Sequence, residues 1–307
     1  MYPIKRILIG LDISDLDLTL INFASFMNHS STTEEIYFVN IVKNLDVPEE
    51  VLKEFPNLIK NAVDERMKIM RDKVEKHIDP LALPKVKFIV KKGQIAKQVL
   101  KISQEKDIDL IVMGRREKSI ESGLLSQRLA RRASCSLLIV PEGTTPELKR
   151  ILVPSDFSDY STIAMEEAVD IAFRNEGEVE LVVQNVYKVP VGYHYTGKTF
   201  EEFAEVMRKH AEEDYKNFIA KIDTKGVKID VQYSLDEDED PVEDIIKKAE
   251  EIEANGIIIG AKGRTATTAF FLGSMAERLI QLDSKFPLLV VRPKGQNAGI
   301  MDLIKEL

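Results

Sequence analysis

The chain has 307 residues, 44% of them apolar and 31% charged, enough for about two domains that each bury a core of their own. A single cysteine, Cys135, excludes a disulfide framework and a cysteine-built metal cluster, and no apolar run approaches the roughly 20 residues that cross a bilayer. The net charge of −8 is unevenly spread, +3 over residues 1–146 and −11 over 147–307, which argues against a general nucleic-acid binder and reads as solvated acidic surface.

In chain order, the N-terminal Met1–Gly10 lacks the long apolar stretch and small-residue cleavage site of a secretion signal. It reads as a first strand, and the cytoplasm is the expected compartment. Helical periodicity follows over 16–28, 49–78 and 94–106, separated by short Ile/Val/Leu runs around 37–42 and 109–114 and closed by 136–140. Residues 141–146, Pro-Glu-Gly-Thr-Thr-Pro, suit a linker. The pattern then starts again, with helices predicted over 159–174, 199–222, 241–254 and 273–282.

The restart is a repeat. Lys5–Asp15 returns as Lys149–Asp159, Tyr37–Lys43 as Val182–Lys188, Asp109–Gly114 as Asn255–Gly260, and Ser136–Val140 as Pro287–Val291. Four landmarks in one order, at a spacing of about 144–151 residues, make the chain an internal duplication. Each half reads as five strands interleaved with four helices. The strands are unbroken apolar runs, as in parallel sheets covered on both faces. The expected class is α/β, two tandem open doubly wound five-stranded parallel sheets. In such sheets ligands sit beyond the carboxyl ends of the strands, so chemistry is expected after Leu11, Val186, Ile259 and their equivalents.

One motif has specific spacing. Gly260-Ala-Lys262-Gly263 follows the fourth strand of the second half, and nine residues later Gly273-Ser274 opens a helix. Gly260 and Gly263 let backbone approach a ligand, and Gly273-Ser274 offers N–H groups and a hydroxyl at a helix N-terminus, where the dipole favours an anion. Lys262 and Arg264 add charge. The alternative is a tight strand-to-helix loop that holds nothing.

With these residues the chain resembles the universal stress protein family, as a tandem member, through about residue 293. The carriers are Pro154-Ser155-Asp156-Phe157-Ser158, the Gly-x2-Gly-x9-Gly-Ser motif, and Ala276-Glu277-Arg278. The resemblance implies an adenine nucleotide alpha hydrolase-like, Rossmann-like fold and ATP as ligand, with Mg as its companion. It implies contacts from Ser155 and Asp156 at the end of the first strand of that half, from Val186 backbone to the adenine, and from Gly260, Gly263, Gly273, Ser274 and Met275 to ribose and phosphates; Lys262, by its charge, joins the expected nucleotide-binding set. A Walker-type GK[ST] loop is absent, so a P-loop ATPase is not expected.

The first half departs from the pattern. Its fourth strand ends at Gly114, but Glu117 replaces the second glycine. Gly123 aligns with Gly273 only across a loop four residues shorter, and Leu124 then stands in place of Ser274. A carboxylate and a donor-poor leucine oppose a triphosphate, so nucleotide is expected in the second half only, although Asp12 remains. The expected domains are accordingly 1–141, degenerate, and 148–293, with the motif intact. Family resemblance further implies an internal pseudo-dimer through the fifth strands, Leu137–Val140 and Leu288–Val291, with a further homodimer open.

Other features carry weaker readings. The acidic Asp236–Asp240 stretch is a solvated loop or, alternatively, a divalent-ion site beside phosphates. The aromatic segment 189–198, with Tyr193, His194 and Tyr195, is either a lid or partner contact, or ordinary packing. Arg128, Arg131 and Arg132 share one helix face that suits solvent or an anionic partner. Cys135 reads as a small core or interface residue, and His29, His77 and His210 as surface residues without ligand spacing. No catalytic triad or general base stands out, which leaves an enzyme reading weak, with slow ATP hydrolysis as its remaining form. The expected function is a stress-associated ATP-binding module acting on a protein partner of unknown kind. The alternatives are a nucleotide-free scaffold and a slow ATPase, and neither nucleic acid nor membrane is expected as a partner.

Overall fold

The computed structural model describes residues 3–30, 32–42, 48–176, 178–263 and 272–294. Arg264 and the tail 300–307 therefore lie outside the described residues. The chain divides into two compact units, one of Tyr2–Pro146 with Pro293–Leu307 and one of Glu147–Arg292.

In the N-terminal unit the order is β1 (Arg6–Leu11), α1 (Leu16–Ser30), β2 (Glu35–Val42), α2 (Glu49–Glu54), α3 (Leu58–His77), β3 (Val86–Lys92), α4 (Ile95–Glu105), β4 (Leu110–Arg115), α5 (Ile120–Arg132) and β5 (Ser136–Pro141). All pairings within this unit's sheet are parallel, and the spatial order is β3-β2-β1-β4-β5. The C-terminal unit runs β6 (Arg150–Pro154), α6 (Asp159–Arg174), β7 (Glu180–Tyr187), α7 (Phe200–Ile219), β8 (Ile229–Leu235), α8 (Pro241–Glu251), β9 (Gly256–Gly260), α9 (Ser274–Gln281) and β10 (Leu288–Val291). Its sheet is parallel in the order β10-β9-β6-β7-β8. Each unit is thus an α/β domain in which the strand order reverses at its first strand, the switch point where such sheets leave a crevice.

Central strands are covered on both faces. Ile7, Leu8 and Ile9 of β1 are fully buried, as are Leu152 and Val153 of β6, which is why these runs carry no polar interruption. Two elements differ from the sequence expectation. The helix predicted over 49–78 is two helices, α2 and α3, interrupted at Phe55-Pro56-Asn57; a proline disfavours helical geometry at the residue before it. Inside the 189–198 segment a single 3-10 turn forms over Tyr193–Thr196, ended by Gly197 at φ 74°.

The duplication is visible in bonds as well as letters. Asp109 Oδ2 accepts the N–H groups of Lys5 and Arg6 at 2.9 and 2.8 Å, and Asn255 Oδ1 accepts those of Lys149 and Arg150 at 2.9 and 2.8 Å. Asn40 Nδ2 donates to the Leu11 carbonyl at 2.9 Å, and Asn185 Nδ2 to the Ser155 carbonyl at 2.8 Å. Both halves even hold the residue after the strand-ending aspartate in the left-handed region, Ile13 at φ 66° and Phe157 at φ 61°. A β-branched residue there is strained, so the turn is enforced by its surroundings. In the second half Phe157 packs on Phe218 and Tyr215, with ring centroids 5.2 and 5.9 Å apart.

Candidate functional site

The carboxyl ends of β6 and β9 face one another across the C-terminal unit's switch point. Between them and the start of α9 lies a cavity of about 310 Å³. It is lined by all nine residues picked out in the sequence, Ser155, Asp156, Val186, Gly260, Lys262, Gly263, Gly273, Ser274 and Met275, together with Pro154, Ser161, Gln184, Ile245, Ile259 and Ala276.

Its polar wall begins with the turn after β6. The Ser155 N–H donates to the Gln184 carbonyl at 2.8 Å, and its Oγ accepts from the Phe157 N–H at 3.1 Å. Asp156 Oδ1 accepts from the Ser158 N–H at 3.1 Å and from Ser161 Oγ–H at 2.7 Å. Ser158 in turn caps α6 by accepting from the Ser161 N–H at 3.3 Å. These bonds fix the carboxylate through Oδ1. Its other oxygen, Oδ2, lies 2.9 Å from where a Cβ on Gly263 would stand, so the second glycine of the motif is where the loop passes closest to Asp156.

The opposite wall is the start of α9. Gly273 is its N-cap and has no side chain with which to cap the first turn. Its own N–H is spent on the Ala261 carbonyl at 2.9 Å. Ser274, Met275 and Ala276, the first three helical residues, line the cavity. First-turn N–H groups have no partner within their own helix, and together with the helix dipole they attract an anion. Lys262 reaches over the Tyr160 ring, 5.1 Å from its centroid, and adds positive charge to the same wall. A third wall is apolar, formed by Val186, Ile245, Ile259 and Pro154.

The three motif glycines are needed for more than ligand access. None has positive φ. A Cβ on Gly260 would stand 2.6 Å from the Tyr160 carbonyl oxygen, and one on Gly273 would stand 3.2 Å from the Gly263 nitrogen. Absence of a side chain there lets α6 and the loop close against β9.

Sequence reasoning missed Gln184. It is fully buried in β7, its Nε2 donates to Ser234 Oγ at 2.9 Å and to the Asp244 carbonyl at 3.1 Å, and its Oε1 has no partner. A glutamine inside an apolar strand was the available signal.

The corresponding place in the N-terminal unit is built differently. Gly123, which aligns with Gly273 across the shorter loop, does not open its helix: it sits a full turn inside α5, where its N–H donates to the Ser119 carbonyl at 3.4 Å. The N-cap of α5 is Ser119, whose side chain accepts from the Ser122 N–H at 3.3 Å. The loop between the aligned glycines is four residues shorter than in the second half, and because α5 is capped four residues before Gly123, the stretch from strand glycine to N-cap is eight residues shorter. Asp12, equivalent to Asp156, is bound on both oxygens. Ser14 Oγ–H donates to Oδ1 at 2.5 Å and Arg116 Nη2 to Oδ2 at 2.5 Å. Where the second half has Ser161 bonding the Asp156 N–H, the first has buried Asp17, whose Oδ1 accepts from the Asp12 N–H at 3.0 Å. Burial pushes the Asp17 carboxyl upward in pKa, against the opposing pull of that bond and of Lys73 at 3.4 Å.

The remaining sequence features fall outside the cavity. Asp240 caps α8, accepting from the Val242 and Glu243 N–H groups at 3.2 Å each, and is paired with Arg278 Nη2 at 2.7 and 2.8 Å. These donors hold its carboxyl below the usual carboxylate range. Glu237, Asp238 and Glu239 are exposed, and among the described residues no group of three His, Cys, Asp or Glu side chains is placed to hold a metal ion. None of residues 189–198 lines the cavity. Tyr193 packs instead edge-on against Phe200 and tilted against Phe203 of α7, at 5.7 and 6.4 Å. Cys135 is buried, while Arg128, Arg131 and Arg132 are exposed on α5. No helix among the described residues is long and apolar enough to cross a membrane.

Comparison with known proteins agrees with this architecture. The model of the universal stress protein family matches residues 3–141 and again 147–292. Universal stress protein MJ0531 of Methanocaldococcus jannaschii is 31% identical over 149 residues, covering 48% of this chain and 85% of that protein. Universal stress protein MJ0577 of the same organism is 29% identical over 164 residues, covering 48% and 96%. Among solved structures, a universal stress protein from Archaeoglobus fulgidus aligns over 95% of this chain and 99% of its own, with a TM-score of 0.63 at 20% identity, a likeness of fold.

Proposed function

The chain belongs to the universal stress protein family, which it matches twice in tandem, and from that premise and the cavity's geometry we propose that its C-terminal unit binds ATP while its N-terminal unit does not. The carrying observation is the α9 N-terminus. Three first-turn residues with no side-chain cap line a cavity that also holds Asp156, Lys262 and an apolar wall. Such a site offers anion-binding N–H groups for phosphates at one end and apolar contact for a base at the other, with Asp156 lining the cavity where ribose hydroxyls would lie. Ser155, Val186, Gly260, Gly263, Gly273, Ser274 and Met275 complete the contact set. A divalent ion such as Mg would arrive with the phosphates and keep most of its ligands from them and from water.

In the N-terminal unit the same position is met by the chain itself. The Arg116 guanidinium takes the Asp12 carboxylate, Ser119 caps α5, and the Gly123 N–H is consumed within the helix. Each feature removes a group that a nucleotide would use. The 1–141 domain is on this reading a derivative that supports or presents the 148–293 domain, and ATP occupancy biases the surface shown to a protein partner by its differential affinity for two states.

A nucleotide-free scaffold has one observation in its favour, since Gly260 and Gly273 are already required by packing against Tyr160 and Gly263. Denaturing the freshly purified protein and identifying the released small molecules by mass spectrometry separates the two. ATP or ADP at about one per chain supports the asymmetric binder; two per chain refutes the asymmetry. No nucleotide, with no heat on titration with ATP and Mg, refutes nucleotide binding.

A further inference from the structure

Two positions of the repeat differ between the halves in a way that bears on the cavity. Tyr160 directly follows Lys149–Asp159, and Leu16 directly follows its copy Lys5–Asp15, so the two are equivalents. Their places agree: a Cβ on Gly260 would stand 2.6 Å from the Tyr160 carbonyl oxygen, and one on Gly114 would stand 2.5 Å from Leu16 Cδ2. By the same count Lys262, two residues past Gly260, matches Arg116, two past Gly114. The two cations are held differently. Arg116 Nη2 lies 2.5 Å from Asp12 Oδ2, an ion pair with the strand-end carboxylate. Lys262 Nζ lies over the Tyr160 ring, 5.1 Å from its centroid, and Lys262 lines the cavity while Tyr160 does not.

We propose that Tyr160 is the positioning residue for Lys262, its ring holding the ammonium at the phosphate wall of the cavity. This rests on the nucleotide reading and adds the group that sets the charge in place. A lysine stem is flexible, and a side chain left unrestrained must be ordered at the moment it meets a phosphate. A ring restrains it beforehand. The face of an aromatic ring attracts a cation through its quadrupole at distances up to about 6 Å, and the contact neither cancels the charge nor takes the ammonium's hydrogens in directed bonds. A carboxylate does the opposite, as Arg116 on Asp12 shows. Leu16, standing where Tyr160 stands, has no electron-rich face with which to draw a cation elsewhere. The exchange of leucine for tyrosine thus separates a half whose loop cation is paired to the strand-end aspartate from one whose loop cation lies over a ring.

The test is calorimetric titration of the full chain with ATP and Mg, for the unaltered protein, Tyr160→Phe, Tyr160→Leu, Lys262→Met, and Tyr160→Leu combined with Lys262→Met. Tyr160→Phe keeps a ring face and is expected to bind within about two-fold of the unaltered chain. Tyr160→Leu is expected to lose about five-fold, the scale of one cation–ring contact. On the Lys262→Met background the same change should cost no more than about two-fold, because a residue that acts only through Lys262 has nothing left to act on. Should Tyr160→Leu fail to fold by circular dichroism, Tyr160→Met takes its place with the same expected loss. Should Lys262→Met bind too weakly to titrate, the contrast between Tyr160→Phe and Tyr160→Leu decides alone. An affinity of Tyr160→Leu equal to or above that of the unaltered chain would overturn the role of Tyr160 while leaving nucleotide binding intact. So would an equal loss with and without Lys262, which is the mark of a packing residue. No binding of ATP by the unaltered chain would overturn both.

Discussion

Replacing Gly263 by alanine separates a ligand loop from a merely compact one. The new Cβ would stand 2.9 Å from Asp156 Oδ2 and 3.9 Å from its Cγ, with nothing else so near. The contact is with the end of a side chain, so the backbone need not move and the cost falls on the carboxylate. Restoring ordinary contact means displacing Oδ2 by about half an ångström, which strains the bonds that Oδ1 makes to the Ser158 N–H and Ser161 Oγ. Loosening them costs the fold about 1 kcal/mol, a shift of roughly 2–4 °C for a domain of this size. The Cβ also projects between the carboxylate and any ligand it holds. Loss of one charge-assisted hydrogen bond corresponds to about 1.5–3 kcal/mol, or roughly 10- to 100-fold in affinity. Titrating ATP against Gly263→Ala, with thermal unfolding followed in parallel, reads both quantities. An affinity unchanged within two-fold, with the small stability loss still present, would refute the cradle and leave the glycine a packing residue.

Two further outcomes follow from neighbouring geometry. Gly260→Ala sets its Cβ 2.6 Å from the Tyr160 carbonyl oxygen and 2.8 Å from its carbon, both backbone, so thermal unfolding of the C-terminal unit should shift down by an amount equivalent to about 2–3 kcal/mol; a wild-type midpoint would show that α6 yields freely. Burial, seconded by Asp170, pushes the Glu167 carboxyl of α6 up to about 7, so the folded chain binds its proton more tightly than the unfolded chain, and stability is lost as pH rises from about 4.5 through 7. Glu167→Gln, neutral throughout, should therefore be more stable than the parent at pH 8 by on the order of 2 kcal/mol and close to it below about pH 4, and a difference that is the same at both pH values in denaturant titrations would refute the assignment.

Much of the fold was legible because it is carried by local pattern. Unbroken apolar runs gave the parallel strands, the repeat gave both halves at once, and the helix 159–174 matches α6 at both ends because Ser158 marks its cap. The break at Pro56 was also written in the chain, but the strong helical period on either side concealed it. The nine cavity residues were legible for a similar reason, since each stands within a few residues of a strand end or helix start and topology brings those ends together. Gln184 and Arg116 were not, because each depends on partners remote in sequence. The Gln184 amide is set by residues 50 and 60 positions away, and Arg116 reaches an aspartate 104 positions away.

The aligned pair Gly123 and Gly273, one inside its helix and one at its cap, shows what a duplication keeps and what it lets go. The bonds that tie each strand to its neighbour recur almost to the tenth of an ångström, Asp109 with Asn255 and Asn40 with Asn185, and losing the Asn40 or Asn185 bond would leave a buried backbone carbonyl short of a donor. The start of the helix after the fourth strand is under no such constraint. A side-chain cap and a bound anion are interchangeable ways to satisfy first-turn N–H groups. In α5 a serine does it from within the chain and the helix begins early; in α9 a glycine leaves the turn open toward a cavity. Counting glycines could not reveal that exchange, since a glycine one turn into a helix and one at its cap are the same letter. Reading Ser119, Ser122 and the absence of any capping side chain at Gly273 does reveal it, and on that contrast the functional asymmetry of the two halves rests.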